Sequence, residues 1–134
     1  MAEFELHPRL ANDTAFVADW TLSRVLLMND ARFPWLILVP RGAGLSELHD
    51  LSEADAAMVV HEVRRAGRGL KALTGASKIN TAALGNQVPQ LHLHVIARHA
   101  GDAAWPNPVW GRGDARPYEA PARDEFISRL RMGL

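Results

Sequence analysis

Gln90-Leu91-His92-Leu93-His94-Val95-Ile96 alternates polar with apolar residues, and its reading decides the fold. In a β-strand successive side chains point to opposite faces. Leu91, Leu93, Val95 and Ala97 then cover a core, while Gln90, His92, His94, Ile96 and Arg98 line the other face. Imidazole is a costly choice on a strand face unless its ring nitrogens are used.

Working outward, Lys78 to Ala82 reads as a neighbouring strand. Upstream, Ala15 to Trp20 and Leu22 to Met28 read as two strands, with Asn29-Asp30 as a turn. Trp35 to Val39 is a short apolar run between Pro34 and Pro40, the mark of a buried strand in a meander. Ser52 opens the clearest helix, with Asp55 three residues on in a capping-box-like arrangement and Leu51 as a staple. Val59, Val63, Ala66, Leu70 and Leu73 recur at helical spacing and give an apolar stripe that should lie on the sheet. Gly67 and Gly69 weaken the last turns, and Gly75 is the expected stop. After β-type residues 91–98 comes an irregular stretch rich in Pro and Gly, then Arg123 to Leu130 as a closing helix. The order argues an α+β fold: an antiparallel sheet of about five strands, one long helix packed on it, and a short C-terminal helix. We expect one domain, 1–134, with a core over about 14–100, an irregular tail over 101–120 and the C-terminal helix within 121–134.

Composition narrows the function. Hydrophobic residues make up 48% of the chain and charged ones 22%, as in ordinary globular proteins. Fifteen basic and fifteen acidic residues balance, so there is no footprint for general nucleic-acid or membrane-surface binding. An anion must be met by a local cluster. With no cysteine, disulfides, thiolate nucleophiles and cysteine-based metal sites are excluded. Met1 to Pro8 lacks a basic start and an apolar run, so no signal peptide is expected, and Phe33 to Pro40 is too short to span a bilayer. A cytoplasmic enzyme or binding protein is the expectation.

Two imidazoles two residues apart on one strand face lie roughly 6–7 Å apart. That spacing serves a His-x-His metal site. It also serves a phosphoryl site, in which one ring attacks phosphorus while its neighbour hydrogen-bonds the phosphate oxygens. Paired strand histidines with no chemical role are the third reading. Composition separates them: Asn80, Gly85, Asn86 and Gln87 supply backbone N–H groups and neutral donors suited to phosphate. A metal would want further carboxylates or imidazoles, and residues 75–97 contain no Asp or Glu. No metal and no cofactor is expected.

Asn80 and the run from Gly85 to Ile96 resemble the signature of the histidine triad (HIT) family of nucleotide hydrolases and transferases, His-φ-His-φ-His-φ-φ after a Gly-Gln/Asn-rich turn. Leu27-Met28-Asn29, Trp35 to Arg41 and Leu48 to Leu51 are similar to its upstream elements, so the likeness covers roughly residues 14–100. Two positions depart from the pattern. Gln90 stands at the first triad position, as in a branch of the family, and Trp35 stands where many members carry a fourth His near the nucleoside pocket.

The resemblance implies that His92 is the nucleophile, attacking the α-phosphorus of a nucleoside 5′-phosphate derivative to form a nucleotidyl-histidine intermediate that water hydrolyses. Imidazole suits the role, because its ordinary pKa of about 6.5 leaves a free lone pair at pH 7. His94 and Gln87 would contact the phosphate oxygens, and Gln90 would orient or contact the phosphate without shuttling a proton. Asn80 matches an amide near the same group, and Asn29 a sugar contact. Trp35 falls near the nucleoside, and Arg98 is a candidate phosphate contact. Trp105 and Trp110 would stack on a base or cover the other subunit, and Arg112 and Arg116 are candidates for a second phosphate. His49 reads as structural and His61 as solvated. The expected substrates are a dinucleoside polyphosphate, such as diadenosine tetraphosphate, or a nucleoside phosphoramidate. A homodimer is implied. The alternatives are a nucleotide-binding regulatory module without turnover and a His-x-His metal site.

Overall fold

The alternating stretch becomes β5 (Leu93–Arg98) in a computed structural model that describes residues 3–134. Met1 and Ala2, the start of the stretch read as carrying no leader, lie outside the described residues. β3 (Trp35–Pro40) and β4 (Lys78–Ala82) flank β5, and β1 (Thr14–Asp19) and β2 (Ser23–Met28) extend the sheet in the order β1-β2-β3-β5-β4. Every neighbouring pair is antiparallel. β5 starts later than its pattern suggests because the Leu91 amide donates to the Leu45 carbonyl instead of to the ladder, 3.0 Å away.

The long helix is α2 (Glu53–Thr74). Ser52 Oγ accepts from the Asp55 amide at 3.1 Å, and Gly75 ends the helix at φ +67°, a left-handed conformation that glycine reaches without strain. Gly69 has a packing reason as well: a Cβ there would come within 2.7 Å of the Leu134 side chain. α3 (Ala120–Gly133) begins earlier and ends later than its apolar pattern suggests. A short helix α1 (Pro8–Asp13) and a 3₁₀ turn (Leu48–Asp50) escaped the sequence reading, both too short for periodicity to mark.

One sheet face carries Val25, Leu27, Leu36, Leu38, Val95 and Ala97 against Ala66 and Leu70 of α2 and Ile127 and Leu130 of α3. Each large side chain buried there contributes roughly 1.5–3 kcal/mol. The other face, which bears the histidines, is not left to solvent. Leu26, Trp35, Ile37 and Ile96 pack beneath Phe4, Leu6 and Leu10 from the N-terminal segment and Ala104, Val109 and Trp110 from the irregular tail. Covered on both sides and flanked by strands, β3 and β5 are buried along their whole length. Among the described residues, no helix is long and apolar enough to cross a membrane.

Register sets up the site. Ile37 lies opposite His94 and Trp35 opposite Ile96 across β3 and β5, so all four share one face. Asn80 and Ala82 of β4 face the same way, opposite Ile96 and His94.

Candidate active site

His92 precedes β5 and His94 lies within it, with ring centroids 4.9 Å apart. His92 Nδ1 is 2.6 Å from the Gln90 carbonyl oxygen. A carbonyl only accepts, so Nδ1 carries the proton and Nε2 keeps a free lone pair. The opposite tautomer follows for His94. Its Nδ1 is 3.0 Å from Trp35 Nε1, and an indole N–H only donates, so the His94 proton sits on Nε2. Burial, and then the charge that His92 can carry, push the His94 pKa down to about 3, so this ring is a neutral N–H donor at pH 7. The two rings therefore present complementary nitrogens, one nucleophilic and one donating.

Both rings line a cleft of about 410 Å³, within the size range of small-molecule sites. Leu10, Met28, Ile37, Val88 and Trp110 form apolar walls, and Asn86 and Gln87 bring amides. Gly85 turns the chain into this stretch at φ +75°. A smaller depression of about 260 Å³ also borders His92 and is lined by Ser46, Glu47, His49 and Gln90 among others. Thus the structure brings together His92, His94 and Gln87 from the sequence reading.

Other expected site residues are placed elsewhere. Arg98 is 1% exposed, and four of its five N–H donors are taken: Nε and Nη2 donate to Asp102 at 2.8 and 2.9 Å, Nη2 to the Asn107 carbonyl at 2.8 Å, and Nη1 to Asn80 Oδ1 at 2.9 Å. Arg98 and Asn80 thus bond one another in a network beside β5, and neither lines the cleft. The Arg98 hydrogen bonds hold the Asp102 carboxyl well below the usual carboxylate range. Asn29 also lies outside the cleft lining. Its Oδ1 accepts from the Tyr118 amide at 2.9 Å, and it borders a separate depression of about 120 Å³ with Thr14, Leu27 and Arg123.

Trp35 does not line the cleft. It stands behind His94, buried against Phe33 and Trp110. The Gln90 amide is engaged at both ends by the N-terminal segment: Nε2 donates to the Glu5 carbonyl and Oε1 accepts from the His7 amide, each at 2.8 Å. Both ends of the amide are thus tied to the segment that leads into Arg9, Leu10 and Asp13 at the cleft. Trp110 covers a ring of its own chain, 5.1 Å from His94, whereas Trp105 lies under the Arg98 guanidinium. Arg112 and Arg116 are exposed on the tail. His99 bonds the Thr74 carbonyl, and His61 is solvated.

Sequence reasoning gave His49 a structural role, whereas the structure places it at the smaller depression. It missed Arg9, Leu10 and Asp13 as cleft residues, because α1 reaches the site only through tertiary folding. Among the described residues, no group of three or more His, Asp or Glu is arranged to hold a metal ion.

The HIT domain family model matches residues 9–101. A histidine triad protein from Bradyrhizobium japonicum is 48% identical, superposes with a TM-score of 0.96, and is covered over 98% of both chains. One from Sinorhizobium meliloti is 46% identical with a TM-score of 0.96, covering 98% of this chain and 97% of that one. One from Marinobacter aquaeolei is 44% identical with a TM-score of 0.97, covering 99% and 97%. No curated protein sequence matches the chain.

Proposed function

Since the chain belongs to the HIT domain family, we propose that it is a nucleotide hydrolase or nucleotidyl transferase working through a covalent adduct on His92. The observation that carries this reading is the bond from His92 Nδ1–H to the Gln90 carbonyl, which leaves a lone pair on Nε2 beside an open cleft. In the first step Nε2 attacks the α-phosphorus. The bond from phosphorus to the leaving group breaks with its electron pair on the leaving atom, which takes a proton from water. The imidazolium formed on His92 is steadied by the same carbonyl. In the second step water attacks phosphorus, the phosphorus–nitrogen bond returns its pair to Nε2, and a proton leaves to solvent. The His94 Nε2–H and the Gln87 amide are the candidate donors to the phosphoryl oxygens. A donor so placed is typically worth about 3–4 kcal/mol in the transition state.

The apolar walls suit a nucleoside, with Met28, Val88 and Trp110 around it. Arg9 is the one basic side chain lining the cleft among the described residues, and it pairs with Asp13 at 3.8 Å. The smaller depression carries Glu47. Such a lining favours one phosphoryl group with an uncharged or basic leaving group, as in a phosphoramidate, over a polyphosphate. We read the protein as cytoplasmic and homodimeric, which light scattering after gel filtration checks for the oligomer. The test of function is turnover of adenosine 5′-phosphoramidate and of diadenosine tetraphosphate, with acid-free mass spectrometry for an adenylyl group on His92. Full activity of His92→Ala overturns the proposal.

One observation favours a second reading, nucleotide binding without turnover. Gln90 occupies the first triad position, carries no exchangeable ring proton and is engaged as a strut. Nucleotide binding by calorimetry with no product over hours would establish it.

A further inference from the structure

We propose that Trp35 is a positioning residue whose indole N–H fixes the tautomer of His94, so that the His94 Nε2–H is always the nitrogen offered to the cleft. The inference rests on the reading of this site as phosphoryl-binding. Its ground is geometric. Trp35 Nε1 lies 3.0 Å from His94 Nδ1, the two rings are 5.6 Å apart, and both are buried.

The indole cannot easily turn away. Phe33 packs edge-on at 6.5 Å, Trp110 packs edge-on at 5.9 Å, and Trp35 is 5% exposed. Trp110 also closes on His94 itself, so the imidazole is held between two indoles. The chemistry of the donor is what distinguishes this arrangement. An imidazole at position 35 has two tautomers and an ionisable proton, so its hydrogen bond to His94 depends on its own state. An indole has one N–H, never loses it in water and never accepts through nitrogen. Trp35 therefore turns a conditional hydrogen bond into a permanent one. With Nδ1 permanently an acceptor, His94 is held in one tautomer and one orientation.

Nitrogen-15 correlation spectra of the full chain test this directly. In the wild type, His94 is expected to show the pattern of an Nε2-protonated neutral ring. Trp35→Phe keeps most of the aromatic bulk and removes the donor, and should give a mixture of His94 tautomers, with kcat down about tenfold and KM within about twofold. Trp35→His restores a ring N–H and should recover kcat to within about threefold of the wild type. Three results overturn the proposal: an Nδ1-protonated His94 in the wild type, an unchanged His94 pattern in Trp35→Phe, or a Trp35→His protein as slow as the Phe variant. The wild-type spectrum alone decides the matter should Trp35→Phe fail to fold. Because the spectra need no turnover, a wild type that hydrolyses no nucleotide yet holds His94 in the Nε2–H form defeats the hydrolase reading and leaves this one standing.

Discussion

The two ends of one strand face invite comparison. His94 and Arg98 sit four residues apart on β5, on the same side of the sheet and both buried, yet they differ in what their nitrogens do. The guanidinium of Arg98 is surrounded by Asp102, Asn80 and the Asn107 carbonyl. At the other end each imidazole has one nitrogen tied to the protein, and both rings line the cleft. Burial of a polar side chain thus says little about its role. A group whose donors are mostly spent on the protein joins elements, and a group with a free nitrogen beside a cavity is placed to meet something else.

The comparison breaks most visibly at His92. Replacing it by Ala should lower turnover by about 10³-fold or more, as loss of a nucleophile does, and remove the adduct from the mass spectrum. The fold should survive, as far-UV circular dichroism would show.

At the Arg98 end the expectation reverses. Asp102→Asn removes the charge facing a buried guanidinium and should cost about 3 kcal/mol in chemical denaturation, with kcat within about threefold of the wild type. A variant as stable as the wild type would mean that the Arg98 network does not hold the tail on the sheet.

Between these lies the pH dependence of stability. His94 has a pKa lowered to about 3 in the folded chain, against about 6.5 when unfolded. Its neutral form is favoured by the fold, so the stabilisation is complete above pH 6.5. Below that the unfolded chain binds a proton that the folded chain refuses, and the loss continues until pH 3. At pH 5 it should amount to about 2 kcal/mol. The slope should flatten in His94→Gln, measured by denaturant titration at pH 7 and pH 5.

The smallest effect is expected at Gln90. Gln90→Ala removes two hydrogen bonds to the N-terminal segment, and about 1–2 kcal/mol of local stability with them. Faster hydrogen exchange at the His7 amide is the measurement. Turnover should fall less than tenfold if the side chain is only a strut; a larger fall would return Gln90 to the reacting atoms.

These contrasts also mark what was readable in the chain. The five strands, the Ser52 cap and the Gly75 stop were legible because each is set by neighbours within a few residues. So was the sharing of a face by His92 and His94. The use of each nitrogen was not. The partner of His94 is 59 residues away, that of Arg98 includes a carboxylate in an irregular loop, and the Gln90 amide closes on a segment 83 to 85 residues upstream. Nor were the partners of Asn29 and Asn80, whose side-chain oxygens accept from the Tyr118 amide and from Arg98.

Trp35 and Trp110 flank His94 directly, whereas Trp20 lies on the far side of the sheet beneath Arg65 and Trp105 is turned toward Arg98. Half of the protein's indoles therefore touch a ring that lines the cleft and half do not. Ultraviolet emission from the unlabelled chain should change when that cleft fills, and the distant pair supplies an internal reference.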